Sequence, residues 1–147
     1  MATIRERLIG SWRLISYEIE AADGSVSHPM GREATGMIMY APDGYMSANV
    51  MIPGRPAFSG GVASSATPEE LAAAAAGYFG YAGRFDVDEA ASSVLHYIEV
   101  ALAPNLLGTV QRRHVLFEGN RLRLRGDAAP AGGRIAVPII TWERAGR

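Results

Sequence analysis

Residues 35–51, Thr-Gly-Met-Ile-Met-Tyr-Ala-Pro-Asp-Gly-Tyr-Met-Ser-Ala-Asn-Val-Met, decide the fold class. Two strand-forming runs, Thr35–Tyr40 and Tyr45–Met51, flank Pro42, Asp43 and Gly44. Proline presets φ, aspartate bonds its own backbone and glycine supplies positive φ, so the three make a tight turn and the runs pair as an antiparallel hairpin. The same pattern repeats outward. Residues 12–20 read as a strand with both faces partly apolar: Trp12, Leu14 and Ser16 on one, Ile15, Tyr17 and Ile19 on the other. Asp23-Gly24 supplies a turn. Downstream, 84–88, 93–102, 109–117, 121–125 and Arg134–Arg144 read as strands. They are separated by Pro104-Asn105, by Glu118-Gly119-Asn120, and by a loop holding Pro130, Gly132 and Gly133.

One segment departs from this. Residues 52–66 hold Pro53, Gly54, Pro56, Gly60 and Gly61 without periodicity, which predicts a long loop of the lid or portal kind. Thr67-Pro68-Glu69-Glu70 then supplies a cap, a first-turn proline and a capping-box glutamate, predicting a helix over 68–82. Gly77, Gly80 and Gly83 weaken its end, each by ~1 kcal/mol relative to alanine. About eight strands in hairpin order with one inserted α-helix predict a mainly β fold, an eight-stranded antiparallel up-and-down β-barrel; a sandwich is the competing arrangement. No repeat or linker divides the chain, so one domain over residues 1–147 is expected.

Composition narrows the chemistry. The chain has no cysteine, and all 14 basic residues are arginine, so lysine is absent too. Disulfides, thiolate nucleophiles and thiolate metal sites are excluded, as are Schiff-base lysines and P-loops. A net charge of −1 argues against a nucleic-acid partner. Charges at Arg5, Glu6 and Arg7 argue against a signal peptide or membrane insertion, so a cytoplasmic protein is expected.

Gly10-Ser11-Trp12, a Gly-x-Trp opening the first strand, resembles the lipocalin and calycin families. The wider set is similar to the short bacterial lipocalin-like domain: residues 8–17, 35–48, the Thr-Pro-Glu-Glu helix start, 96–99, 104–113 and 142–144. The resemblance implies a barrel with a central cavity and an inserted helix. It also implies barrel closure by Trp12 with Arg144 packed over it, a contact worth ~0.5–2 kcal/mol. It implies no reaction.

A mostly apolar cavity with a few convergent polar groups is the usual small-molecule site. Period-two alternation groups His96 with Ile98, and Gln111 and Arg113 with Val115 and Phe117. We expect His96, Gln111, Arg113, Tyr45, Ser47 and Asn49 inside the barrel; a one-residue slip would substitute Tyr97, Glu99, Arg112 and His114. Met37 and Met39 offer an adaptable apolar wall, and Phe117 and Tyr78 offer aromatic surface. His96 is suited to proton transfer and Arg113 to an anion, making them the candidate catalytic pair. The bland alternatives are a hydrogen-bonded core histidine, an Arg113 ion pair with Glu18 or Glu99, a core filled by methionine, and a solvated face at Tyr45, Ser47 and Asn49.

No metal site is expected, since His28, His96 and His114 lie in separate segments. No cofactor is expected either. The glycines at 77, 80 and 83 follow a helix rather than a strand, and the serines at 59, 64 and 65 lack a nucleophile elbow. Arg121, Arg123 and Arg125 read as a solvated face. Three functional readings follow. The first is a binder of a small, largely apolar ligand, with the 52–66 loop and the helix at the cavity mouth. The second is a cofactor-independent isomerase or cyclase for a small carbonyl-containing substrate, using His96 and Arg113. The third is a scaffold or homodimer.

Overall fold

In a computed structural model, residues 1–131 and 133–146 are described. The chain runs α1 (Ile4–Leu8), β1 (Gly10–Ala21), β2 (Val26–Ser27), β3 (Thr35–Tyr40) and β4 (Tyr45–Met51). It continues through α2 (Pro68–Ala76), β5 (Tyr78–Asp88), β6 (Ser93–Ala101), β7 (Val110–Glu118), β8 (Arg121–Gly126), β9 (Ala129–Ala131) and β10 (Arg134–Arg144). Short 3-10 turns occupy Ala63–Ser65 and Pro104–Leu106. Sequential strands pair antiparallel in the order β2-β1-β3-β4-β5-β6-β7-β8-β10-β9, and a β1–β10 pairing closes the circle. The eight long strands therefore form an antiparallel barrel, with β2 and β9 as short additions on β1 and β10. Closure removes the free edges that an open sheet would present.

The turn at 41–44 forms as the sequence dictates: Gly44 sits at φ +95°, and Met37 pairs with Asn49 across the hairpin. The helix is shorter than its pattern suggests. Thr67 caps it and Glu70 closes the capping box, but it stops at Ala76. Residues 78–82, expected in the helix, open β5 instead, because pairing with β4 and β6 outweighs local propensity for this glycine-rich stretch. Gly83 is required there: β6 bulges between the partners of Ala82 and Gly83, and a Cβ at Gly83 would collide with the Tyr97 carbonyl. Residues 129–131, expected in a loop, form β9; Gly132 of that loop lies outside the described residues.

A second bulge, between Leu14 and Ser16, explains why β1 is apolar on both faces. One extra residue flips the alternation, so Trp12 and Leu14 point inward before it, as do Tyr17 and Ile19 after it.

The core fills one end of the barrel. Leu8, Trp12, Tyr40, Phe85, Leu122 and Trp142 are almost wholly buried there. Helix α1 lies across this end. Thr3 and Glu6 form its capping box, Leu8 inserts with 0% exposure, and the Trp12 indole N–H donates to the Leu8 carbonyl at 2.9 Å. Burying one such leucine contributes ~1.5–3 kcal/mol. The Arg144 guanidinium caps the Trp12 ring at 3.8 Å and donates to the carbonyls of Ile9 (2.8 Å) and Arg7 (2.5 Å). No helix among the described residues is long and apolar enough to cross a membrane.

Candidate ligand cavity

Toward the other end a cavity of about 200 Å³ remains. Its apolar wall includes Phe79 from β5 and Ala136, Pro138 and Ile140 from β10. Leu106 and Ala129–Pro130 border it. No lining residue comes from the 52–66 loop or from α2; the mouth is built by the β6–β7 and β8–β10 connections. Four polar side chains reach it: Tyr17, Tyr81, Gln111 and Arg113.

Strand period places these groups. His96 pairs with Gln111 and Val94 with Arg113, so Gln111, Arg113, Val115 and Phe117 share the inner face of β7. The inward placement expected for His96, Gln111 and Arg113 agrees with this geometry. Phe117 also points inward, but at the filled end: its ring lies 6.2 Å from that of Trp12 and under the Arg7 guanidinium at 4.0 Å. It does not line the cavity.

His96 lies behind the cavity wall, 1% exposed. The Tyr40 hydroxyl is 2.7 Å from Nε2, and the Tyr81 hydroxyl 2.7 Å from Nδ1. Burial, then the Arg113 charge, pushes the His96 pKa down to about 3, so the ring is neutral at physiological pH. A neutral imidazole donates once and accepts once. Tyr40 is 2% exposed, and its hydroxyl is bonded only to His96 among the described residues. One tautomer therefore satisfies the buried donors of Tyr40 and His96: Tyr40 donates to Nε2, and Nδ1–H donates to the Tyr81 oxygen. The Tyr81 proton is then free to face the cavity. With both nitrogens engaged, His96 has no atom for a substrate, which removes it from direct acid/base contact.

Arg113 is half-buried and has no carboxylate within 4.0 Å among the described residues. The ion pairs expected with Glu18 or Glu99 are absent: Glu18 meets His28 at 3.8 Å, and Glu99 lies exposed on β6. Among the described residues Arg113 donates to the Arg112 carbonyl at 3.1 Å, and its guanidinium lies beside the Tyr81 hydroxyl. Burial raises the Tyr17 and Tyr81 hydroxyl pKa values, and the Arg113 guanidinium pulls both back. Its charge thus acts on the tyrosines that line the cavity.

Six further expected ligand-wall residues lie elsewhere, besides Phe117. In β4, Met46, Ala48 and Val50 are buried and fill the barrel, which turns Tyr45, Ser47 and Asn49 outward. In β3, Ile38 and Tyr40 are inside, so Met37 and Met39 are outside. Tyr78, paired with Met51, is also external; its hydroxyl donates to Asn49 Oδ1 at 2.5 Å, and Arg55 stacks on its ring at 5.3 Å. Met37, Met39, Asn49 and Tyr78 line a groove on the outer surface. The apolar members of β4 sit at even positions, and that plain alternation was the signal for the inner face. Tyr17, Tyr40 and Tyr81 went unrecognised as site residues. Tyr40 shares a face with the core residue Ile38, whereas Tyr81 sits in the stretch expected to be helical. His114, also external, bonds Asp127 at 2.9 Å and holds that carboxyl below its usual range.

A closed antiparallel barrel, filled at one end and hollow at the other, with polar groups aimed into an apolar hollow, is the architecture of a small-molecule-binding barrel. The chain belongs to the lipocalin-like domain family, whose model matches residues 9–145. It is also similar to the 4'-hydroxy-3'-methoxypropiophenone carrier protein ppsC of Aspergillus oryzae (strain ATCC 42149 / RIB 40). The two are 44% identical over 85 residues, covering 54% of this chain and 77% of that protein.

Proposed function

We propose that the protein binds a small, largely apolar molecule in the barrel cavity and carries it without transforming it. The observation that bears most weight is the apolar hollow of about 200 Å³ into which Tyr17, Tyr81, Gln111 and Arg113 converge. That is smaller than the ~300–1,000 Å³ of sites for drug-sized ligands, which points to a compact ligand. The name of the Aspergillus oryzae relative supports a carrier role and a phenolic aryl ketone as the type of cargo. Such a molecule presents a flat apolar body with oxygen acceptors, matching the lining. An isomerase or cyclase using His96 is disfavoured, because the ring lies buried behind the cavity wall with both nitrogens bonded to tyrosines.

Isothermal titration and native mass spectrometry with 4'-hydroxy-3'-methoxypropiophenone test the proposal. We expect a 1:1 complex, released without chemical change. Ala136→Leu, which fills the cavity, and Leu106→Trp, which narrows its border, should each weaken binding at least tenfold with the circular dichroism spectrum retained. Tight binding that survives both substitutions would place the ligand outside the barrel and end this reading.

A further inference from the structure

We infer that the cavity holds its ligand through an oxyanion, a phenolate, enolate or carboxylate on an apolar body, seated between the Arg113 guanidinium and the Tyr81 hydroxyl. The inference rests on the cavity being the ligand site and specifies what that site selects.

The charge around the cavity is one-sided. Facing it or packed behind it are Tyr17 from β1, Tyr40 from β3, Tyr81 from β5, His96 from β6 and Arg113 from β7. From β8 and β10 come Leu124, Gly126, Pro138 and Ile140, none titratable. Among the described residues, none that lines the cavity is an aspartate or glutamate. A guanidinium turned into an apolar hollow with one backbone carbonyl bonded and no carboxylate beside it recovers only part of the hydration it loses. An anionic ligand would supply the missing partner, and the planar fork of arginine matches an oxygen acid.

Tyr81 adds direction. Its oxygen already accepts the Nδ1–H of His96, so its own proton is available as a donor. Tyr40 fixes this arrangement, because the opposite tautomer would leave the buried Tyr40 proton without an acceptor. Tyr40 and His96 are therefore positioning residues, and Tyr81 and Arg113 are the two groups that touch the ligand. Gly126 holds space for Arg113: a Cβ there would come within 3.0 Å of Nη1 and 2.6 Å of Pro138 Cγ.

The probes are 4-hydroxyacetophenone, which ionises, and 4-methoxyacetophenone, which cannot. Each is titrated with the intact protein about one pH unit below the phenol's own solution pKa. We expect the phenol to bind at least about tenfold more tightly than the ether, as a hydrogen bond to a charged group is worth ~1.5–3 kcal/mol. The bound phenol should show the red-shifted absorbance band of the phenolate. Arg113→Met should erase both the preference and the band, and Tyr81→Phe should reduce both. Tyr40→Phe should lower the affinity ratio by a smaller factor and move the pH at which the band appears upward, a shift that packing loss alone would not produce. Benzoate competing for the seat extends it to carboxylates, and benzoate failing to compete confines it to phenolates and enolates. Equal affinity of wild type for phenol and ether without a phenolate band overturns the inference while leaving the carrier reading intact. Neither probe binding overturns both.

Discussion

Arg144 and Trp12 form the clasp of the barrel: the guanidinium lies 3.8 Å above the indole and the two residues pair in register across β1 and β10. The same side chain donates to the carbonyls of Ile9 and Arg7, tying β10 to the last turn of α1 and the residue after it. Arg144→Met should cost about 2–4 kcal/mol, combining a cation–π contact with charge-assisted hydrogen bonds. Arg144→Lys should recover only part, since an ammonium cannot serve both carbonyls and the ring with one planar fork. Equal urea midpoints for wild type and Arg144→Met would show that the clasp is energetically idle.

His96 should make stability fall in mild acid. Its folded pKa, about 3, lies below the value of 6.5 that it takes in the unfolded chain. The unfolded chain therefore binds the extra proton first. The contribution is complete above about pH 6.5 and declines as pH falls toward 3. By pH 5 the loss should be roughly 2 kcal/mol, at 1.36 kcal/mol per unit. Asp23 and Asp127, whose pKa values are lowered by hydrogen bonds, act only at more acidic pH. Guanidinium titrations at pH 7.5 and 5.0 measure the slope, and His96→Gln should flatten it between those values. An unchanged slope in the variant would assign it to other groups.

Gly83→Ala should be among the most damaging single changes outside the core. The added methyl meets the Tyr97 carbonyl and the Glu99 backbone at the β6 bulge, and backbone cannot swing aside as a side chain can. A loss of about 3 kcal/mol or more is expected from thermal unfolding. Gly108→Ala offers the contrast: open space surrounds the new methyl, and only its φ of +76° opposes the change.

Glu70 fastens the long loop to α2. Its carboxylate accepts from the Thr67 backbone N–H and from the Ser59 backbone N–H and hydroxyl, which hold its pKa below the usual value. Glu70→Ala should speed proteolytic cleavage within residues 52–66 several-fold while leaving the barrel's melting temperature nearly unchanged, because α2 buries no residue. Wild type should loosen in the same way as pH falls through the folded pKa of this carboxyl. Identical cleavage rates for variant and wild type would refute the fastening.

The barrel was legible in the hairpin at 35–51 and in the strands that follow, because alternation and turn chemistry are local properties. The inner face of β7 was legible for the same reason: Gln111 and Arg113 share parity with Val115 and Phe117. Three features were not. The bulge at Ile15 changes parity within a single strand, and nothing in Trp-Arg-Leu-Ile-Ser-Tyr marks it. Residues 78–82 read as a helix end because the alanine run before them is locally helical, while their strand state, continuous with the expected strand at 84–88, depends on partners far along the chain. Ligand chemistry argues for the polar residues of β4 inside, whereas burial favours Met46, Ala48 and Val50 there. His96 was recognisable as an inward polar group, but its two tyrosine partners come from strands 56 and 15 residues away. Only closure of the barrel brings them together.

Because α1, Leu8 and Trp12 floor the barrel, a guest must leave by the way it came. Arrival and departure then cross the same barrier, past Leu106 and the Ala129–Pro130 segment. A change that alters only this barrier scales both rate constants by one factor, so residence time can be tuned there without altering affinity.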